Sequence, residues 1–413
     1  MERQNNRIAE SARSGSPVRI AIRRLLTDRM AVVSLLFISI VAVIAMLGYL
    51  IAPDSTPYAN DQHLQLTTLK PGTKVKFLRI PKQYDVKHRN IIGRMLFGQE
   101  SEFNEFPFDS IYFDGSKVYA VEYNSMSVGD TILREFSIPE ILYRSDLISN
   151  FKFDGNTITT FFKNGQAVSI HIDDARQLVT NKHIVVRCFL LGTDRLGRDL
   201  LSRLIIGARI SLSVGFIAVG ISLVIGILLG AIAGFAHGFI DDAIMWLVNV
   251  VWSVPTLLMV IALTMVIGKG FWQIFVAVGL TMWVDMARVV RGQVLSVREK
   301  EYVDAARVLG YSSWRIIFRH VMPNIMAPVI IVSASNFSTA ILLEAGLSFL
   351  GIGVQPPAPS WGTMIRDHYG YIVMDKAYLA LIPGFAMMLL VLAFNLLGNS
   401  LRDALDPREI EKA

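Results

Sequence analysis

Two carboxylates, Asp285 and Glu344, stand within or at the edge of long apolar runs, and they are where chemistry would be sought first. An ionised group at the centre of a bilayer costs roughly 2.5–3.5 kcal/mol on insertion scales, so each needs compensation. Asp285 has Arg288 close behind it and is expected to pair with that cation near the cytoplasmic end of its span. Glu344, with Asn336 upstream in the same run, is a candidate for a translocation path. A bundle-interior place or a hydrogen bond to another subunit would suit Glu344 as well. Nothing else assembles into a reactive set. There is no G-x-x-x-x-G-K-[ST] phosphate loop, so the chain offers no nucleotide site by that route. The 7 histidines are scattered, no His/Cys/Asp/Glu group has metal-ligand spacing, and no Ser/His/Asp arrangement stands in a catalytic context. The expectation is a chain with no catalytic residues, no metal and no cofactor of its own.

The elements that would position these groups are membrane spans. The 413 residues are 53% hydrophobic and only 18% charged, which describes a polytopic membrane protein with some soluble mass. Windows of about 20 apolar residues mark 30–52, 210–235, 243–267, 271–290, 326–350 and 377–397 as six candidate spans. An even number puts both termini on one side. The first 29 residues hold seven Arg against three acids, and 288–323 holds seven Lys/Arg against three acids, so the positive-inside rule places both in the cytoplasm. The run beginning at Met30 is too long for the apolar region of a cleavable signal and is expected to stay as the first span. Before it, Val18, Ile22, Leu25 and Leu26 share a helical face beside Arg19, Arg23, Arg24 and Arg29. That pattern fits a helix on the anionic inner leaflet or a solvated basic tail. The net charge of +6 calls for no nucleic-acid partner, because the cytoplasmic span ends account for much of it. The single cysteine, Cys188, excludes an internal disulfide and is expected as a structural thiol near the outer face.

Between the fourth and fifth spans, a basic loop reads as two short helices. Tyr302, Ala305, Ala306 and Leu309 recur at i, i+3, i+4 and i+7, and Gly310 follows as the stop. Ser312 or Ser313 can cap a second helix on which Trp314, Ile317, Phe318 and Val321 repeat the spacing before Pro323 ends it. The result is a protruding knuckle. The residues from Pro53 to Leu191 differ in composition, with alternating stretches at 117–121 and 157–162 and turn signals at Asp114-Gly115, Asp154-Gly155 and Asn164-Gly165. They read as a β-rich insert, extracytoplasmic by the parity of the spans. Its role is either a rigid cover or a docking surface for a protein that delivers cargo. After it, 192–209 carries Leu200, Leu201, Leu204, Ile205 and Ala208 on one stripe and fits an amphipathic helix along the outer membrane surface. Pro356, Pro357 and Pro359 stiffen an outer loop in which Trp361 would be an interfacial anchor, and glycines 215, 220, 226, 230 and 234 allow close helix approach.

Asp304-Ala305-Ala306 with Gly310, followed by His320-Val321-Met322-Pro323-Asn324, resembles the coupling loop of ABC importer permeases, with Asp304 where that family usually has Glu. Gly192-Thr193-Asp194 through Leu212, Leu347-Ser348-Phe349-Leu350-Gly351 through Trp361-Gly362, and Asn395 through Arg408 are similar to signatures of the dipeptide and oligopeptide permeases, specifically the second, C-type subunit. Together these cover essentially everything from Leu191 to the C-terminus. The long insert departs from the family's common pattern. The resemblance implies an all-α polytopic fold of six spans, here with the β-rich extracytoplasmic insert between the first and second, in a bacterial inner membrane. It implies a homologous second permease, two ABC ATPase subunits that hold the ATP and Mg, an extracytoplasmic substrate-binding protein, and ATPase coupling through Tyr302, Asp304, Ala305, Ala306, Leu309, Gly310, Trp314 and Pro323. The expected organisation is 1–29 cytoplasmic segment, 30–52 first span, 53–191 insert, 192–209 interfacial helix, 210–398 permease domain with coupling loop 291–324, and 399–413 cytoplasmic tail. A secondary transporter with an extracytoplasmic ligand-docking domain is the alternative. It would show internal repeats and midplane ion ligands, and neither is evident. An anchored receptor would need only one span.

Overall fold

The computed structural model describes residues 17–124, 132–268 and 270–405. Much of the basic N-terminal segment and the end of the tail, with the Asp406-Pro407-Arg408 signature, lie outside the described residues. Among the described residues five helices are long and apolar enough to cross a membrane: Arg29–Ile51, Leu200–Ala236, Trp272–Arg298, Ser313–Phe349 and Tyr378–Leu405. The third expected span, 243–267, is instead two helices, Phe239–Trp252 and Thr256–Ile267, bent by 93°. Pro255 causes the break, because it has no N–H to donate and pushes Val254 out of helical geometry.

The chain divides into two compact units. One comprises residues 1–45, 207–369 and 380–413 and is helical. Its centre is the helix Phe271–Arg298, where Ile274, Phe275, Val278 and Met282 meet Val214 and Ala218 of Leu200–Ala236 in a fully apolar core. Glycines at a spacing of four keep the backbones close. A Cβ on Gly226 would sit 2.6 Å from Met286, one on Gly230 2.5 Å from the Ala287 carbonyl oxygen, and one on Gly234 2.9 Å from that of Arg291. Gly215 faces Phe337 in the same way, while nothing lies near Gly220.

The cations at the end of Phe271–Arg298 have definite partners. Arg291 forms a two-point pair with Asp241, at 2.6 Å to each oxygen. Arg298 donates to the Gly234 carbonyl at 3.2 Å, which places a cation at the carbonyl end of Leu200–Ala236. Arg288 donates to Asn249 at 2.8 Å and lies 4.0 Å from the Trp252 ring centroid, so it does not serve Asp285 as the spacing suggested. The indole and amide of the bent pair compete for it, and Asp285 is left on the exposed surface of this chain. Trp361 is a second correction. It is 3% exposed and packs where a Cβ on Gly207 would touch its ring at 3.0 Å, so it is buried rather than interfacial. Ser360 fixes it there by accepting from the Thr363 amide at 3.1 Å at the start of Trp361–His368.

The other unit comprises residues 46–206 and 370–379. Its strands are β1 Thr73–Pro81, β2 Phe103–Asp114, β3 Lys117–Glu122, β4 Leu133–Ser137, β5 Ile148–Phe153, β6 Thr157–Phe162, β7 Ala167–His171 and β8 Ile184–Phe189. They form an antiparallel five-stranded sheet, β4-β3-β2-β1-β8, and a three-stranded sheet, β5-β6-β7. The turns at Gly115, Gly155 and Gly165 all have positive φ, as the Asp-Gly and Asn-Gly signals require. Leu78, Phe108, Val118, Ile138 and Ile141 join Ile158 and Ile172 in one buried core. Cys188 is exposed on β8.

The separate interfacial helix expected at 192–209 is absent. Residues 192–199 form an irregular return, and a single helix starts at Leu200 and continues to Ala236. Asp199 starts it, accepting from the Ser202 amide at 2.8 Å. Arg203 is buried beside Asp194 at 3.5 Å. Asp194 also holds Arg198 at 2.6 Å. In this return, a Cβ at Gly192 or Gly197 would overlap the Leu69 or His63 carbonyl, so both must be glycine.

Candidate functional site

The knuckle begins where the helix Phe271–Arg298 ends, and its first helix is Glu301–Val308. The helix that the spacing gave is present, and its inward face is set by two residues. Val303 and Ala306 are buried, packing with Ile316, Ile317 and Val321 and with Met286, Val290 and Val294 of the preceding span. Tyr302, Ala305 and Leu309 are exposed. Val303 fills the inward groove, and a short helix with apolar residues on several sides leaves more than one stripe that could have done so.

Gly310 stops the helix as expected, at φ +75°. Its amide donates to Arg307 at 2.9 Å and that of Tyr311 donates to Ala306 at 3.2 Å, the paired closure of a Schellman cap. Ser312 then opens the second helix, whose first turn is Ser313–Ile316, but its side chain makes no capping bond.

Pro323 does not terminate that helix. Residues Ile317–Val321 widen into a π-turn and the chain runs on as Met322–Phe349, with Pro323 in its first turn. A proline lacks the donor and crowds the preceding turn, and the wider turn accommodates both defects without breaking the rod. Asn324 clamps the two helices together, donating to the Tyr302 hydroxyl at 3.0 Å and to the His320 carbonyl at 2.7 Å.

The outward surface is apolar with charged edges. Val308 is 88% and Leu309 70% exposed, and Trp314 and Phe318 are more than half exposed with their rings stacked at 5.7 Å. Arg315 lies 4.4 Å from the Tyr311 ring centroid. Asp304 points outward, bonded to Arg307 at 3.0 Å, and Arg307 in turn lies over Phe235 at 5.4 Å. Apolar groups presented on a rigid backbone and rimmed by charge are the physical signature of a docking face. Val308, Tyr311 and Phe318 share this exposed surface with Leu309 and Trp314, although the coupling-loop resemblance does not name them. The available signal was apolar residues lying off the inward stripe next to the helix stop.

The two path candidates lie on the helix Met322–Phe349. Glu344 is fully buried, accepting from the Ser348 hydroxyl at 2.6 Å through one oxygen, with its other oxygen unpartnered among the described residues. Asn336 is also buried, and its side-chain nitrogen has no partner there. Neither is brought near the knuckle residues by a recorded contact. Among the described residues no group of His, Cys, Asp and Glu could hold a metal ion.

Comparison with known proteins places this architecture. Residues 226–411 match the family described as "binding-protein-dependent transport system inner membrane component", and residues 16–71 match the "N-terminal TM domain of oligopeptide transport permease C". The di/tripeptide transport system permease protein DppC of Pseudomonas aeruginosa is 45% identical over 53% of this chain and 72% of its own length. The oligopeptide transport system permease protein OppC of Bacillus subtilis is 43% identical over 52% of this chain and 71% of its own length. A solved structure of the MetNI methionine ABC transporter, inward facing, is 17% identical and superposes with a TM-score of 0.43 over 50% of this chain and 98% of its own. The β-rich residues 72–189 fall in the interval between the two family matches, so the helices carry the relationship, and the chain belongs to the family of binding-protein-dependent inner-membrane transport permeases, in its C-type oligopeptide and dipeptide branch.

Proposed function

We propose that this chain is one of two homologous permease subunits of an ATP-driven importer for di- and oligopeptides in a bacterial inner membrane. Both termini and the knuckle are cytoplasmic, and the β-rich region is outside, where it meets a peptide-binding protein. Two partner ATPase subunits hold the ATP and Mg. The observation that carries the reading is the knuckle itself. Its inner face is locked to the spans through Val303, Ala306 and Val321, while Val308, Leu309 and Trp314 are presented outward. A rigid lever with an apolar tip suits a subunit that must be moved by another protein. Tyr302, Asp304, Ala305, Leu309 and Trp314 contribute surface. Ala306, Gly310 and Pro323 shape the lever. Glu344 and Asn336, buried with unpaired polar atoms, are the groups to expose or re-pair when the bundle changes state.

The test is peptide uptake by inverted and right-side-out vesicles containing the purified complex. Uptake that needs the binding protein and ATP is the expected result. Uptake driven by an ion gradient without ATP would favour the secondary transporter. Within the same assay, Gly310→Val places a β-branched residue at φ +75°, a strain of about 1–3 kcal/mol that would re-angle the two helices. ATP hydrolysis should persist while uptake falls at least tenfold, and normal uptake by this variant would remove the lever from the mechanism.

A further inference from the structure

The helix Ile91–Phe97 is apolar except for Gly93 and Arg94, yet none of its residues is buried. Ile91, Ile92 and Phe97 are each more than 60% exposed, and Leu96 is 41% exposed. The helix is nevertheless firmly built. Asn90 accepts from the Gly93 amide at 2.8 Å at one end. At the other, Arg89 donates to the carbonyls of Phe97 and Gly98 at 2.9 and 3.0 Å, so the end carbonyls that a short helix leaves open have donors. Such satisfaction is what a low-dielectric surrounding demands.

Its position is fixed by the end of the first membrane-crossing helix. A Cβ on Gly98 would lie 2.7 Å from the Ser55 carbonyl oxygen and 3.1 Å from the Tyr49 ring. The Gln99 amide donates to that same carbonyl at 2.8 Å. Leu50 and Ile51, the last residues of Arg29–Ile51, are themselves exposed. The segment 86–99 contains Lys87, His88, Arg89 and Arg94 and no acidic residue.

We propose that the helix Ile91–Phe97 lies in the outer-leaflet interface of the bilayer, with its isoleucines and Phe97 among the acyl chains and its cations at the phospholipid headgroups, and so pins the β-rich region to the membrane beside the first span. At a rise of about 1.5 Å per residue it is roughly 10 Å long, far short of the bilayer's hydrocarbon thickness, so it can lie in the interface but not cross it. The amphipathic element expected after the insert is replaced by one inside it. This inference rests on the reading that Arg29–Ile51 crosses the bilayer with the β-rich region outside.

The test uses the complete transporter in liposomes of mixed zwitterionic and anionic phospholipid. With Cys188→Ser as background, nitroxides are attached at Ile92→Cys, at Leu96→Cys and, as a reference, at Tyr112→Cys on β2. Power saturation should give higher collision with oxygen than with a water-soluble nickel chelate at 92 and 96, and the reverse at 112. Chelate-dominated values at 92 and 96 would overturn the proposal by placing the helix in water. Low accessibility to both agents would also overturn it, by showing that a protein partner covers the helix. Labelling of the native Cys188 by an impermeant maleimide from outside the cell reports the side of the region independently of either result.

Discussion

Leu309→Asp should abolish co-purification of the ATPase subunits while leaving the permease as stable as the parent. Leu309 is 70% exposed, so the substitution costs the fold little, within about 0.5 kcal/mol for such a surface change. In an apolar interface, the new carboxylate loses water without gaining a partner. A penalty of about 3 kcal/mol follows, which is on the order of a hundredfold in dissociation constant. Ala306→Asp is the instructive contrast. Ala306 is 3% exposed and packs against the knuckle's own core. A charge there should unfold the knuckle first, and binding would fail for that indirect reason. The measurement is ATPase retention on immobilised permease alongside thermal unfolding in detergent. Full retention by Leu309→Asp, with unchanged unfolding, would place the ATPase contact elsewhere.

That contrast shows where the sequence was readable. Span-length apolar runs are set by bilayer thickness, so Arg29–Ile51, Phe271–Arg298 and Tyr378–Leu405 lie close to their expected places. Gly310 and the turn glycines Gly115, Gly155 and Gly165 were readable because positive φ leaves few alternatives to glycine. What spacing could not choose was the inward stripe of an eight-residue helix, since Val303 and Tyr302 are both compatible with a helical period. Nor could it reveal that Pro323 is absorbed by a π-turn, or that Arg203 faces Asp194 across a chain reversal. These outcomes depend on residues distant in sequence. The stripe at 200–209 misled for a related reason: it has the spacing of an interfacial helix, but it continues without a break into the helix that runs to Ala236.

Asp194→Asn is expected to be the most destabilising single substitution in the β-rich unit. The carboxylate has no exposed surface and lies between Arg198 at 2.6 Å and Arg203 at 3.5 Å. Its oxygens also accept the Leu196 and Arg198 amides at 2.8 and 3.0 Å, tightening the return that feeds Leu200–Ala236. Removing the charge leaves two guanidinium groups buried beside a neutral amide, a change that costs about 3–5 kcal/mol when a buried pair is broken. Burial alone would raise the Asp194 pKa, but Arg198 and Arg203 outweigh it and hold the carboxyl below its ordinary range. The sign follows from the lowered folded value. The group binds its proton more weakly folded than unfolded, so its stabilisation is complete above the unfolded value of about 3.9 and is lost as pH falls through the folded one. Asp54 and Asp199 behave in the opposite sense, because burial raises both and their contribution fades as pH rises. Comparing wild type with Asp194→Asn cancels those common terms. Hydrogen exchange of segments 63–69 and 192–199 should therefore show a wide protection gap at neutral pH that narrows below about pH 4. A gap independent of pH would mean that the Asp194 carboxylate works through its shape and amide bonds rather than its charge.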